Sequence, residues 1–151
     1  MKSVIRHFTG EHAFLSNFYE ARVLFDARHW PTAEHAYQAM KTADFGLQEV
    51  IRDALTPGEA KRLGRALLRI RDGWDRYKDA YMERIVDAKF QQHPELMEKL
   101  LATGEALLIE GNDWGDMYWG MVKRNDGRWV GRNQLGKVLM DVRERARGHK
   151  A

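Results

Sequence analysis

The chain has 151 residues, 44% hydrophobic and 31% charged, with 25 Lys and Arg against 22 Asp and Glu for a net charge of +3. That profile excludes disordered and fibrous classes and fits one soluble globular domain, mildly basic and compatible with an anionic ligand. The absence of cysteine excludes disulfides, thiolate nucleophiles, iron–sulfur clusters and the usual structural zinc sites, so catalysis must use oxygen, imidazole or amine groups.

The first residues break their short apolar run with Arg6 and His7 and lack the apolar centre of a secretory signal. The longest stretch without Asp, Glu, Lys or Arg is His12 to Tyr19, eight residues, where a spanning helix needs about 20 apolar ones. A cytoplasmic protein with no membrane partner is expected. Val4, Arg6 and Phe8, then Val23 and Phe25, alternate as short strands, with Asp26-Ala27 as a turn before His29 and Trp30. Thr32 can cap a helix running to Lys41. Thr56-Pro57-Gly58-Glu59 is a capping box, and the apolar spacing after it predicts a helix from Pro57 to about Arg71.

From Trp74 to near His93 the spacing of Tyr77, Tyr81, Ile85 and Phe90, flanked by Met82 and Val86, predicts an amphipathic helix. Pro94 restarts a helix that Gly104 should stop, and Ala106 to Ile109 reads as a strand. Asn112 to Gly131, with four glycines and three tryptophans, reads as a long loop or ligand-facing segment. Leu135, Val138, Leu139 and Val142 mark a final helix. With no linker and no internal repeat, the expectation is an α+β fold, mostly helical, as a single domain over residues 1–151 with a small antiparallel sheet.

Three segments could carry chemistry. In Thr32 to Lys41, Glu34, Gln38 and Lys41 share one helical face; it is either a solvated face with a Glu–Lys pair or a pocket holding a carboxylate beside an amine. In Asn112 to Gly120, acids, aromatics and glycines suit either a loop against a flat ligand or a turn whose tryptophans cover the core. In Arg132 to Gly136, Asn133 caps the last helix or bonds a ligand, capping being favoured on general grounds. Lys61, Arg62, Arg65, Arg69 and Arg71, and then Arg143, Arg145, Arg147 and Lys150, are basic clusters that are solvated faces or phosphate contacts. His29 and His35 do not share a helical face and no third ligand is evident, so no metal site is expected.

Taken together, Phe14-Leu15-Ser16-Asn17-Phe18, Trp30-Pro31-Thr32-Ala33-Glu34-His35 through Lys41, Asp116 with Trp119-Gly120, and Gly131 to Met140, with Gly64-Arg65 and Trp74 between, resemble the NADAR (YbiA-like) family over almost the whole chain. The resemblance implies a mostly helical YbiA-like fold and an N-glycosidase, a hydrolase acting on ribose C1′ bonded to an exocyclic nitrogen, with no cofactor. It implies two substrate classes: ribosylaminopyrimidine phosphate intermediates of riboflavin synthesis, placed slightly ahead, and ADP-ribosylated guanine in DNA, from which an antitoxin-type enzyme removes ADP-ribose.

By the same resemblance Glu34, Lys41 and Asp116 are the expected catalytic residues, and Asn17, Arg65, Trp74, Trp119, Gly120 and Asn133 the expected substrate-binding ones. Lys41 falls on the family's lysine. It would either attack C1′ to form a transient Schiff base, or bind and position while Glu34 or Asp116 stabilises an oxocarbenium ion and aligns water. Arg65 would meet phosphate, and Trp74 and Trp119 would wall the base. Met121 and Val122 depart from members that carry an acidic residue or another glycine after Trp-Gly. Two other classes remain: a non-catalytic module binding ADP-ribose or NAD, and, ranked last, an interaction domain without a ligand.

Overall fold

The computed structural model describes residues 3–148, which fall into two compact units, residues 17–93 and residues 3–16 with 94–148. Lys150, part of the C-terminal basic cluster, lies outside the described residues.

Residues 17–93 are organised around a short helix, α1 (Ala33–Met40). Thr32, in extended backbone, caps it by accepting from the His35 N–H, as the sequence predicts. Every residue of α1 is buried, because helices α2 (Phe45–Arg52), α3 (Pro57–Arg65) and α4 (Trp74–Gln92) all pack on it. His35 is satisfied at both ring nitrogens: Nδ1 lies 2.8 Å from the Thr32 hydroxyl and Nε2 lies 3.0 Å from the Ala54 carbonyl. A carbonyl can only accept, so Nε2 carries the proton and Nδ1 accepts from Thr32. Burial lowers the His35 pKa, in keeping with a neutral ring.

Before α1, β2 (Val23–Phe25) and β3 (Arg28–Trp30) form the expected hairpin, pairing Val23 with Trp30 and Phe25 with Arg28. Asp26 and Ala27 both have positive φ, at 53° and 62°, the pattern of a two-residue turn whose twist matches the strands. The Leu24 N–H and C=O face away from β3, and the Gln92 side chain meets both at 2.7 and 2.9 Å. The end of α4 is thereby fastened along the hairpin.

Three local expectations change. Helix α2 is not predicted by the apolar spacing, because Phe45 and Val50 are exposed and only Gln48 and Ile51 are buried; its mark in the sequence is Asp44, which caps Leu47. Helix α3 stops at Arg65 instead of Arg71. Leu68 is 97% exposed, and the chain leaves the helix so that the Arg71 N–H can reach the Lys41 carbonyl at 2.7 Å. On α4, Tyr77 is half exposed and does not join the buried stripe of Met82, Ile85, Val86, Lys89 and Phe90.

In the other unit, β1 (Val4–Ile5) pairs in parallel with β4 (Leu107–Leu108), after a 3-10 helix (Gly10–Leu15) and α5 (Pro94–Ala102). Gly104, at φ 64°, follows α5 as expected. The segment read as one long loop contains a second hairpin, β5 (Val122–Lys123) with β6 (Trp129–Val130), turning at Gly127 with φ 87°; strands of two residues are too short for alternation to register. Helix α6 (Gln134–Gly148) buries Leu135, Val138, Leu139 and Val142 as predicted. Among the described residues the strands form three two-stranded pairs, two antiparallel and one parallel, within a mostly helical α+β fold. Among the described residues no helix is long and apolar enough to cross a membrane.

Lys89 is only 1% exposed, and its Nζ lies 5.6 Å from the Tyr19 ring and 5.2 Å from that of Phe90. The ring faces favour the ammonium, yet burial outweighs them and lowers the pKa from 10.5 to about 7. Between these two values the unfolded chain holds a proton that the folded chain lacks, so the stability of the protein rises with pH across that window. Lys89→Met is expected to raise stability most below about pH 7 and progressively less toward about pH 10; urea unfolding at about pH 6 and about pH 9 checks the trend.

Candidate active site

Glu34 and Gln38 lie one turn apart on α1, both buried, and Gln38 Nε2 donates to Glu34 Oε2 at 2.5 Å. The face that could have been solvated is therefore interior. Gly64 of α3 makes this closeness possible: a Cβ there would come within 2.7 Å of Gln38 Cδ and 3.0 Å of its Cβ. Gln38 Oε1, turned toward Gly64, is buried with no hydrogen-bond partner. The Glu34 N–H, in the first turn of α1, donates to the Asn17 carbonyl at 3.1 Å, and Asn17 Nδ2 points at Met82 Sδ, 3.2 Å away. Asn17 is thus placed against the start of the helix that carries Glu34.

Lys41 follows the last residue of α1 and is half-buried, with Nζ 5.6 Å from the Tyr37 ring centroid. Tyr37 meets Trp74 at 5.6 Å, and Trp74 meets Tyr81 at 5.4 Å, both as tilted pairs. Burial is the main cause that lowers the Lys41 pKa; the Glu34 carboxylate opposes it, whereas Arg65, Lys61 and Lys78 reinforce it. A carboxylate, a depressed amine and three further cations beside an aromatic wall suit a substrate with anionic groups and a flat ring.

Lys61 belongs to the basic cluster that the sequence offers as phosphate contacts, whereas Lys78 is not marked by the sequence. Lys78 stands four residues after Trp74 on α4, with its Nζ 3.2 Å from Asp75. Lys61 stands one turn before Arg65 on α3, and its Nζ lies 5.9 Å from the Phe18 ring. The periodicity of a basic helix carries Lys61 and Arg65 as a pair; nothing local marks Lys78.

The remaining expected residues lie in the other unit and have well-defined surroundings. Asp116 Oδ1 accepts from the N–H groups of Tyr118 and Trp119 at 3.0 and 2.9 Å, while Asn112 brackets the Asp116 main chain on both sides. This closes a tight turn on the carboxylate. The Tyr118, Trp119 and Gly120 carbonyls then accept from Gln134, Leu135 and Asn133, filling the open N–H groups at the start of α6. Gly120 is buried, and a Cβ there would come 2.7 Å from Asn112 Nδ2. The Asn133 side chain does not cap α6. Its Nδ2 donates to Leu108 and its Oδ1 accepts from Glu110, which ties β4 to the helix. Trp119 is half-buried, edge-on to Tyr118 at 4.9 Å.

The NADAR domain model matches residues 5–147. The chain belongs to the NADAR family. It is 40% identical over 130 residues to a protein named N-glycosidase YbiA from Escherichia coli K12, a match covering 85% of this chain and 78% of that protein. A longer protein from Vibrio vulnificus, named riboflavin biosynthesis protein VVA0006, is 39% identical over 139 residues, 91% of this chain and 36% of that one. The solution structure of Escherichia coli YbiA superposes with a TM-score of 0.86 at 36% identity, covering 99% of this chain and 89% of that chain. Family membership thus rests on sequence and fold together, and the motifs through which the sequence resembles NADAR proteins include both the α1 face and the Asp116 turn.

Within this NADAR fold, Gly64→Ala is expected to push α3 off α1 or to break the Gln38–Glu34 hydrogen bond. The expected loss of stability is about 1–3 kcal/mol. Chemical unfolding together with a structure of the variant would show which of the two gives way.

Proposed function

We propose that the chain is an N-glycosidase that hydrolyses the bond between ribose C1′ and an exocyclic nitrogen, with ribosylaminopyrimidine phosphates of riboflavin synthesis as substrates. The observation that carries this reading is Lys41: an amine made less basic by burial, close enough to Glu34 to feel its charge, among cations suited to phosphate. The relatives named N-glycosidase and riboflavin biosynthesis protein support the reaction class and its setting. A cytoplasmic location belongs to the same reading.

In the mechanism we assign, the lone pair of the exocyclic nitrogen opens the ribose ring by breaking C1′–O4′, leaving an imine at C1′ and a hydroxyl at C4′. Neutral Lys41 Nζ attacks C1′. Glu34 carries the first proton that Nζ releases to the exocyclic nitrogen, giving a neutral diamine at C1′, and then carries the second; the C1′–exocyclic nitrogen bond breaks, the nitrogen departs as the free amine, and a neutral Schiff base is left between Lys41 and the sugar. Water adds to C1′, the C1′–Nζ bond breaks, and the released aldehyde recloses. Arg65 and Lys61 bind phosphate, and Trp74 with Tyr37 forms the wall for the base. Asp116 has a positioning role, holding the 116–120 turn through the Tyr118 and Trp119 amides. Asn17 acts through its carbonyl on α1, and Asn133 through its hold on β4.

The test is a mass-spectrometric time course of the purified chain with a ribosylaminopyrimidine phosphate and, in parallel, with DNA bearing ADP-ribosylated guanine, each with and without borohydride. Free aminopyrimidine and an adduct trapped on Lys41 are expected. Release from the DNA substrate alone would move the assignment to ADP-ribose removal, and no release from either would leave a binding module. Lys41→Ala is expected to lower kcat by about 10,000-fold with binding retained; near-normal turnover in that variant would show direct attack by water.

Because neutral Lys41 is required, the acid limb of the kcat/KM profile follows its pKa. Arg65→Gln removes a charge that lowers this pKa and should move the limb to higher pH. Glu34→Gln removes the charge that raises it and should move the limb to lower pH while slowing proton transfer. Opposite displacements in rate profiles of the two variants check the assignment.

A further inference from the structure

Helix α1 ends beside its reactive residue, and the carbonyls of a helix's last turn have no partners within the helix. In this chain two of those carbonyls are taken by a single residue from outside α1. Arg71 donates its backbone N–H to the Lys41 carbonyl at 2.7 Å and its side-chain Nε–H to the Met40 carbonyl, also at 2.7 Å. The same guanidinium lies 5.6 Å from the Tyr81 ring centroid. Tyr81 packs on Trp74, Trp74 on Tyr37, and the Tyr37 ring carries the Lys41 ammonium end. The contacts form a closed circuit that starts and ends at Lys41: its main chain is held by Arg71, and its side chain by the aromatic series that Arg71 itself covers.

We propose that Arg71 is a positioning residue for Lys41, latching the C-terminal turn of α1 so that the amine is held over Tyr37 and kept from swinging into solvent. The proposal rests on the catalytic role given to Lys41 above for its effect on rate, but the latch itself is a property of the free protein. The chemistry of the Arg71 side chain separates the latch from a charge effect. Its hydrogen bond to Met40 comes from Nε, inside the planar guanidinium, which a lysine of equal charge cannot reproduce. The departure of the chain from α3 after Arg65 fits the same function, since a helix continued to residue 71 would not deliver its N–H to the end of α1.

Arg71→Lys and Arg71→Met both keep the backbone N–H and remove the Nε donor. The substrate-free readout is the titration of each lysine after reductive methylation with carbon-13 formaldehyde, followed by NMR, with the Lys41 signal assigned by its loss in Lys41→Arg. In the wild type the Lys41 signal should titrate below the ordinary lysine range. In both Arg71 variants it should move up toward the ordinary lysine range. With substrate, kcat should fall on the order of 10- to 100-fold with KM little changed, and Arg71→Lys should resemble Arg71→Met. A Lys41 titration unchanged in both variants overturns the latch, whether or not the wild type turns over substrate. Restoration of the wild-type titration and kcat by Arg71→Lys alone overturns it too, in favour of charge. If the wild type shows no glycosidase activity yet the titration moves, the latch stands and the functional reading fails.

Discussion

A helix surrounded on all sides leaves its polar residues no water to turn to, and α1 is such a helix. Its three polar interior groups must find partners within reach, and they do so in different ways. His35 is held by a hydroxyl and a carbonyl, Glu34 and Gln38 are held by each other, and one oxygen of Gln38 is left over. An orphaned buried oxygen costs stability, and here it accompanies the approach of α3 at Gly64. The neighbouring elements follow from this constraint. A residue without a side chain is needed where α3 crosses, Thr32 must serve both a cap and an imidazole, and the end of α1 must be closed from outside by Arg71.

The electrostatics at this end of the molecule come from the same packing. Burial makes the ammonium of Lys41 unfavourable, and three cations add to that, while one carboxylate opposes them. An anionic substrate entering such a place gains from the cations and, by partly cancelling them, would restore some basicity to the amine. Under the mechanism proposed above, binding and nucleophilicity pull against each other, with Glu34 the internal group that would shift the balance by accepting a proton. Lys89 is a contrast within the same unit. It is more deeply buried, faces two aromatic rings, and has no place in the proposed mechanism.

Much of this was legible in the sequence because local chemistry and tertiary structure agree. Thr32, Thr56 and Pro94 mark helix starts, Asp26-Ala27 marks the hairpin, and the last helix shows its buried stripe openly. The misses arise where a distant contact decides. Helix α3 ends early because Arg71 is drawn to Lys41, which no window of neighbouring residues can reveal. Helix α2 hides because its apolar residues are mostly exposed. At the site, the shared face of Glu34, Gln38 and Lys41 could be read from spacing, but its burial depends on Gly64 and on helices packed from elsewhere in the chain. Asn133 is instructive in the same way: an asparagine before a helix suggests a cap, whereas its amide serves the strand end at residues 108 to 110.

The contact between Gln92 and Leu24 has a consequence for how this protein meets other chains. A two-stranded hairpin has an open edge whose unpaired main-chain groups invite a further strand, and β2 is apolar enough to be attractive, with Leu24 47% exposed. At Leu24 both outward-facing groups are already bound by one side-chain amide, which imitates the missing strand at the middle of a three-residue edge. An incoming extended segment would have to displace Gln92 before it gained its first pair of hydrogen bonds. The last turn of a helix thereby acts as a guard against unwanted strand addition, and does so with a neutral residue instead of the charge or proline more often found on exposed edges.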